Sequence, residues 1–148
     1  MRVRPLAVAA FVLAGLCAAN AQDTSPQQER YDLMRVVGKN TGVLGKIAKG
    51  EAPYDAAVVE EAATAIAASA EKFATLFPEG TETGNDTRAL PAIWEDRDTF
   101  NGYGEALVEG ALAVKAAAPD GLDAFRPAFG QMAGSCRDCH ESFRAAKK

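Results

Sequence analysis

Cys136-Arg137-Asp138-Cys139-His140 lies on the last amphipathic segment of the chain, where Phe125, Phe129, Met132, Cys136, Cys139 and Phe143 recur at alternating four- and three-residue intervals. That alternation marks one face of an α-helix. The two thiols therefore stand one turn apart, with an imidazole directly after the second. C-x-x-C-H is the pattern that attaches a c-type haem. Each thiol adds across a haem vinyl group, and the imidazole then lies under the macrocycle and ligates the iron. His140 is the only histidine in the chain, so the single residue able to serve stands where the chemistry requires it. Other uses of the pentad fit less well. A structural zinc site wants four Cys or His ligands, and the pentad offers three. A thioredoxin-like C-x-x-C wants a neighbouring βαβ pattern, and no strand signal surrounds this one. A Cys136–Cys139 disulfide leaves the adjacent histidine without a role.

Upstream of this segment, three more helices are predicted. Ser25-Pro26-Gln27-Gln28 supplies a capping serine, a first-turn proline and a glutamine three residues after the cap. Tyr31, Met34, Val37, Thr41, Leu44 and Ala48 then form an apolar seam, and Gly50 closes the helix. A second helix follows Asp55 along Val59, Ala62, Ile66, Ser69, Phe73 and Leu76, with Pro78 as its stop. A polar Gly- and Thr-rich loop leads to a third helix opening at Pro91, with Ile93, Phe100, Leu107, Ala111 and Val114 inward and Pro119-Asp120-Gly121 as its break. In the last helix Pro127 lacks an N–H, so a kink in the early turns is expected. The fold class is all-α, an antiparallel four-helix bundle with covalently bound c-type haem. Abundant inward alanines let helices approach closely and leave volume for a large flat cofactor.

At the other end, Arg2 and Arg4 precede an apolar run from Leu6 to Leu16, and Ala19-Asn20-Ala21 forms an A-x-A site. Residues 1–21 read as a cleaved secretory signal peptide and 22–148 as the mature domain. The apolar run is shorter than the roughly 20 residues that span a bilayer, so no stable membrane insertion is expected. Export matches haem attachment, which bacteria carry out beyond the cytoplasmic membrane, and the periplasm is the expected location. Losing Arg2 and Arg4 moves the formal net charge from −4 to −6. That balance disfavours nucleic acid as a partner and favours a periplasmic redox protein with a basic docking face.

What fills the second face of the iron decides the function. A second histidine does not exist. Met132 lies eight residues before His140 on the same helix, hence on the proximal side. Met34, on the first helix, is the remaining thioether of the mature chain and the distal residue by elimination.

Taken together, the pentad with its continuation Glu141-Ser142-Phe143-Arg144, the stretch Pro91-Ala92-Ile93-Trp94, and Arg30 four residues before Met34 resemble the class II c-type cytochromes, the cytochrome c′ family. The likeness spans essentially the whole mature chain, and residues 43–55 look most like the low-spin branch. The resemblance implies haem attachment through Cys136 and Cys139 and proximal ligation by His140. It implies that Met34 occupies the distal position, which holds a ligating Met in the low-spin branch and a non-ligating residue in many high-spin members. It further implies that Arg30 reaches a haem propionate, that Thr81 and Glu82 contact the haem rim, and that Arg144 lies beside the proximal imidazole. Trp94 is expected either in the core or over the haem edge, and a homodimer through the first two helices is a further expectation. Two functions follow. With His140 and Met34 both on iron, as the likeness of residues 43–55 to the low-spin branch implies, the protein is a periplasmic electron carrier. With Met34 over the iron but unbonded it is a cytochrome c′ that binds nitric oxide or carbon monoxide. No pairing of acid and base groups suggests an enzyme.

Overall fold

The computed structural model describes residues 24–146; the signal-peptide reading, including Cys17, falls outside that range. Helix α1 (Pro26–Lys49) starts where the sequence predicts, with the Ser25 hydroxyl accepting from the Gln28 N–H at 3.2 Å. It ends on Gly50 at φ 76°, a left-handed position glycine takes without strain, and the Glu51 N–H reaches back to the Lys46 carbonyl at 2.9 Å. Helix α2 (Ala56–Ala74) is capped by the Asp55 carboxylate, which accepts from Ala57 and Val58 N–H. It ends before Pro78 at the cap residue Thr75, whose N–H and hydroxyl both donate to the Lys72 carbonyl. Leu76 and Phe77 leave the helix but stay buried.

The predicted third helix is two pieces, α3 (Ala92–Glu95) and α4 (Arg97–Ala117). Asp96 between them leaves helical geometry at φ −128°, ψ 65°, and its carboxylate caps the Thr99 N–H at 3.3 Å. The apolar stripe from Ile93 to Phe100 runs past Asp96 and predicts one helix; the aspartate cap divides it. A 3₁₀ turn (Ala118–Asp120) and Gly121 at φ 90° lead into α5 (Leu122–Phe143), which is assigned as one continuous helix through Pro127.

Helix α2 packs against α1 and α4, α4 against α5, and α1 meets α5, giving the four-helix bundle. Small residues set the spacing: Ala62, Ala63, Ala67 and Ala111 are buried among Leu44, Val59, Ile66, Val114 and Phe125. At Gly110 α4 comes close to α5. A Cβ there would stand 3.1 Å from both Cα and Cβ of Met132, one turn before Cys136. A second cluster gathers Phe77, Ile93, Phe100 and Phe143, with Phe73, Trp94, Tyr103 and Cys139 against it. Its rings meet edge to face, Phe77 on Phe100 at 4.7 Å and Phe100 on Phe143 at 5.4 Å.

The α1 seam differs from expectation at one residue. Tyr31 is 62% exposed, while its neighbour Arg30 is 4% exposed and takes the inward position. Hydropathy alone assigns the tyrosine inward; the arginine wins because the fold supplies partners for its charge.

Candidate haem site

Near its C-terminal end α5 presents Cys136, Cys139 and His140 of the pentad to a cavity of about 630 Å³. Cys136, Cys139 and His140 line it from α5, Arg30 and Met34 from α1, and Arg144 from the residue after α5. The aromatic wall comes from α2 (Phe73), the segment after it (Phe77), and α4 (Phe100, Tyr103).

Both thiols are half-buried and free. Burial pushes the Cys136 thiol above its ordinary value, and the same cause raises Cys139, with Cys136 adding to it and Arg144 opposing. Cys136 Sγ lies 3.7 Å from the Met132 carbonyl, one turn back. The His140 imidazole is pushed below its ordinary value, first by burial and then by the nearby Arg144 and Arg88. It is neutral at pH 7, the form that ligates iron.

The remaining sequence candidates separate into two groups. Arg30 lines the cavity but also turns away from it: Nε donates to the Leu76 carbonyl at 2.7 Å, Nη1 to the Thr81 carbonyl at 2.9 Å, and Nη2 to the Thr81 hydroxyl. Its guanidinium lies 4.0 Å from the Phe77 ring centre and 5.5 Å from that of Trp94. Burial lowers its pKa from the ordinary value, with Glu82 opposing and Arg97 reinforcing the shift. Thr81, Glu82 and Trp94 are outside the cavity lining. Thr81 holds Arg30, Glu82 accepts from the Gly80 N–H at 3.0 Å, and Trp94 packs edge-on against Phe77 with its indole N–H donating to the Pro78 carbonyl.

Arg88 is a cavity residue the sequence did not reveal. It comes from the polar loop, where no periodicity points inward. The loop is pinned to the end of α5 by a single bridge, Ala89 to Arg144, by the Ala145 N–H to the Arg88 carbonyl, and by the Arg88 side chain on the Ala145 carbonyl at 2.9 and 2.6 Å. Tyr31 and Arg35 at the mouth were also missed as site residues.

The donor set fits a covalently attached haem. Two protonated thiols one turn apart and a neutral imidazole open onto an apolar chamber. Arg30, Arg35, Arg88 and Arg144 line the same chamber, and none forms an ion pair with a carboxylate among the described residues. Guanidinium groups without carboxylate partners suit the two propionates of the macrocycle.

A protein-family model described as Cytochrome C′ matches residues 25–144. The chain is similar to cytochrome c′ of Rhodopseudomonas palustris, at 35% identity over 147 residues, 99% of each chain. The solved structure of cytochrome c′ from that organism superposes with a TM-score of 0.80 at 34% identity, covering 84% of this chain and 99% of the other. Cytochrome c-556 of Agrobacterium fabrum is 36% identical over 139 residues, 94% of each chain. A nitric oxide complex of a mutant cytochrome c prime from Alcaligenes xylosoxidans matches with a TM-score of 0.73 at 29% identity, covering 82% and 98%.

Proposed function

This chain belongs to the cytochrome c′ family, and we propose that it takes up nitric oxide or carbon monoxide at haem c. Proteins of the family carry one covalently attached haem, and Cys136 and Cys139 are the thiols of the matching pentad. When bound, that group supplies an iron with a coordination position for a diatomic gas. The chain's residues do the rest. Cys136 and Cys139 fix the macrocycle to α5, and His140 holds the iron from the same helix. Arg30, Arg88 and Arg144 set positive charge toward the propionates. Phe73, Phe100 and Leu107 exclude water from the chamber.

One observation carries the reading. His140 is the only nitrogen ligand among the cavity residues, and the rest of the wall is mainly hydrocarbon and aromatic, with the half-buried Met34 on α1. Such a surface can house a small neutral gas. The solved nitric oxide complex of a relative supports this choice. Export to the periplasm and pairing of two copies belong to the same proposal; among the described residues no helix is long and apolar enough to cross a membrane.

A second reading has its own observation. Met34 is the one methionine in the cavity lining, whereas Met132 is 1% exposed in the first core cluster. If the Met34 sulfur bonds iron, the protein is an electron carrier with both faces filled. Titrating nitric oxide into the reduced holoprotein tests the choice: a stoichiometric change in the visible spectrum supports gas uptake, and an unchanged spectrum favours the carrier.

A further inference from the structure

We propose that the cavity mouth is a docking surface for an acidic one-electron carrier protein, anchored on Tyr31, Arg35, Arg88 and Arg144. The whole-chain balance, with a net charge of −4, predicts the reverse, a basic partner. The placement of the charges overrides the total. The cavity lining contains four arginines, no lysine and a single carboxylate, Asp86. Two haem propionates and Asp86 balance three of the four arginines, so the lining keeps an excess of one positive charge. Arg35 and Arg144 are exposed and Arg88 is half-buried, so these three guanidinium groups reach the solvent side, with Arg30 buried beneath them.

Tyr31 is the second observation. It is the most exposed large apolar side chain among the described residues, at 62%, and it lines this same mouth. The Arg35 guanidinium lies 5.9 Å from its ring centre. Exposed tyrosine beside arginine is the composition of interface anchors: tyrosine buries much surface with two torsions to freeze, and arginine offers a planar fork of donors for carboxylates. The rim is also pre-formed. Arg88 is fixed by its two bonds to the Ala145 carbonyl, and the bridge between Ala89 and Arg144 holds the neighbouring arginine beside it. A carrier with a carboxylate-rich face is steered to such a rim, and the effect fades beyond a Debye length of about 10 Å at 0.1 M salt.

The inference rests on the haem reading above and not on which gas, if any, is bound. The step is a single electron: the carrier's reduced centre is oxidised, ferric iron becomes ferrous, and no atom or proton is exchanged.

The test is stopped-flow reduction of the ferric holoprotein over a range of ionic strength. The probes are the anionic reductant Fe(II)-EDTA, the cationic hexaammineruthenium(II), and hydroquinone flavodoxin as an acidic protein. The rim predicts that the Fe(II)-EDTA and flavodoxin rates fall as salt rises, while the ruthenium rate rises. Arg35→Glu is expected to cut both anionic rates at low salt by roughly ten-fold. Lys115→Glu, the same charge change outside the cavity, leaves them within about two-fold. NMR titration with oxidised flavodoxin should group its shifts on Tyr31, Arg35, Arg88 and Arg144. Anionic rates that rise with salt, or equal losses in the two variants, overturn the proposal. Steering of Fe(II)-EDTA without steering of flavodoxin also overturns it, since the rim would then attract small anions and not a protein. A preparation without a haem spectrum removes the haem reading, and this inference with it, before any rate is measured.

Discussion

The Arg30 guanidinium grips Thr81, fifty-one residues later in the chain, through both its carbonyl and its hydroxyl. Together with the Leu76 carbonyl, these bonds tie the first helix to the segment that follows the second. Stacked on Phe77 and Trp94, the same guanidinium brings a buried positive charge to the edge of the cavity. One residue thus ties the loop to α1 and carries a charge at the cavity edge.

The two roles separate by substitution. Arg30→Ala removes the bonds and the charge, and is expected to lower holoprotein stability by about 2–4 kcal/mol and to lower the reduction potential. The potential falls because a lost cation no longer offsets the propionate charge that favours ferric iron. Arg30→Lys keeps the charge without the fork, so stability should fall while the potential changes less. Denaturant unfolding and redox titration of the two variants check this. Equal potentials in both variants and the wild type would limit Arg30 to its anchoring role.

Covalent attachment depends on the two thiols of α5. Cys136→Ser with Cys139→Ser should abolish it, leaving a chain whose mass by spectrometry lacks haem. The unfilled cavity should also leave the protein poorly folded, since contacts are lost from α1, α2, α4 and α5 together. Recovery of covalent haem in the double variant would contradict the attachment site.

Glycines on the helices should divide by what a methyl group would meet. Gly110→Ala places a Cβ 3.1 Å from the Met132 backbone and should destabilise by about 1–3 kcal/mol. It should also displace α5 and shift the haem absorption bands. Gly38→Ala meets nothing within 4 Å on the exposed side of α1 and should stabilise by about 0.5–1 kcal/mol. Thermal unfolding and visible spectra of both variants distinguish them.

Much of this architecture is legible in the sequence because hydrophobic spacing and caps act locally. Ser25, Gly50 and Asp55 mark helix ends that the fold keeps, and the pentad places three site residues unaided. Asp96 is a local signal too, yet the apolar stripe running past it masks the break between α3 and α4. Arg30 and Tyr31 exchange their expected burial for a different reason. Whether an arginine can be buried depends on carbonyls from residues 76 and 81, which spacing on α1 does not encode. Arg88 is hidden for the same reason: its place at the cavity comes from pairing with the end of α5.

On the proposed gas-binding reading the haem keeps a free position although Met34 lines the cavity. The decisive measurement is the ferric visible and near-infrared spectrum, followed by carbon monoxide added to the reduced protein, in wild type and Met34→Ala. A high-spin ferric wild type without a sulfur-to-iron band, stoichiometric carbon monoxide binding, and a similar spin state in Met34→Ala are expected. A low-spin ferric wild type with that band, which takes up carbon monoxide only after Met34→Ala, would contradict it and place the Met34 sulfur on the iron.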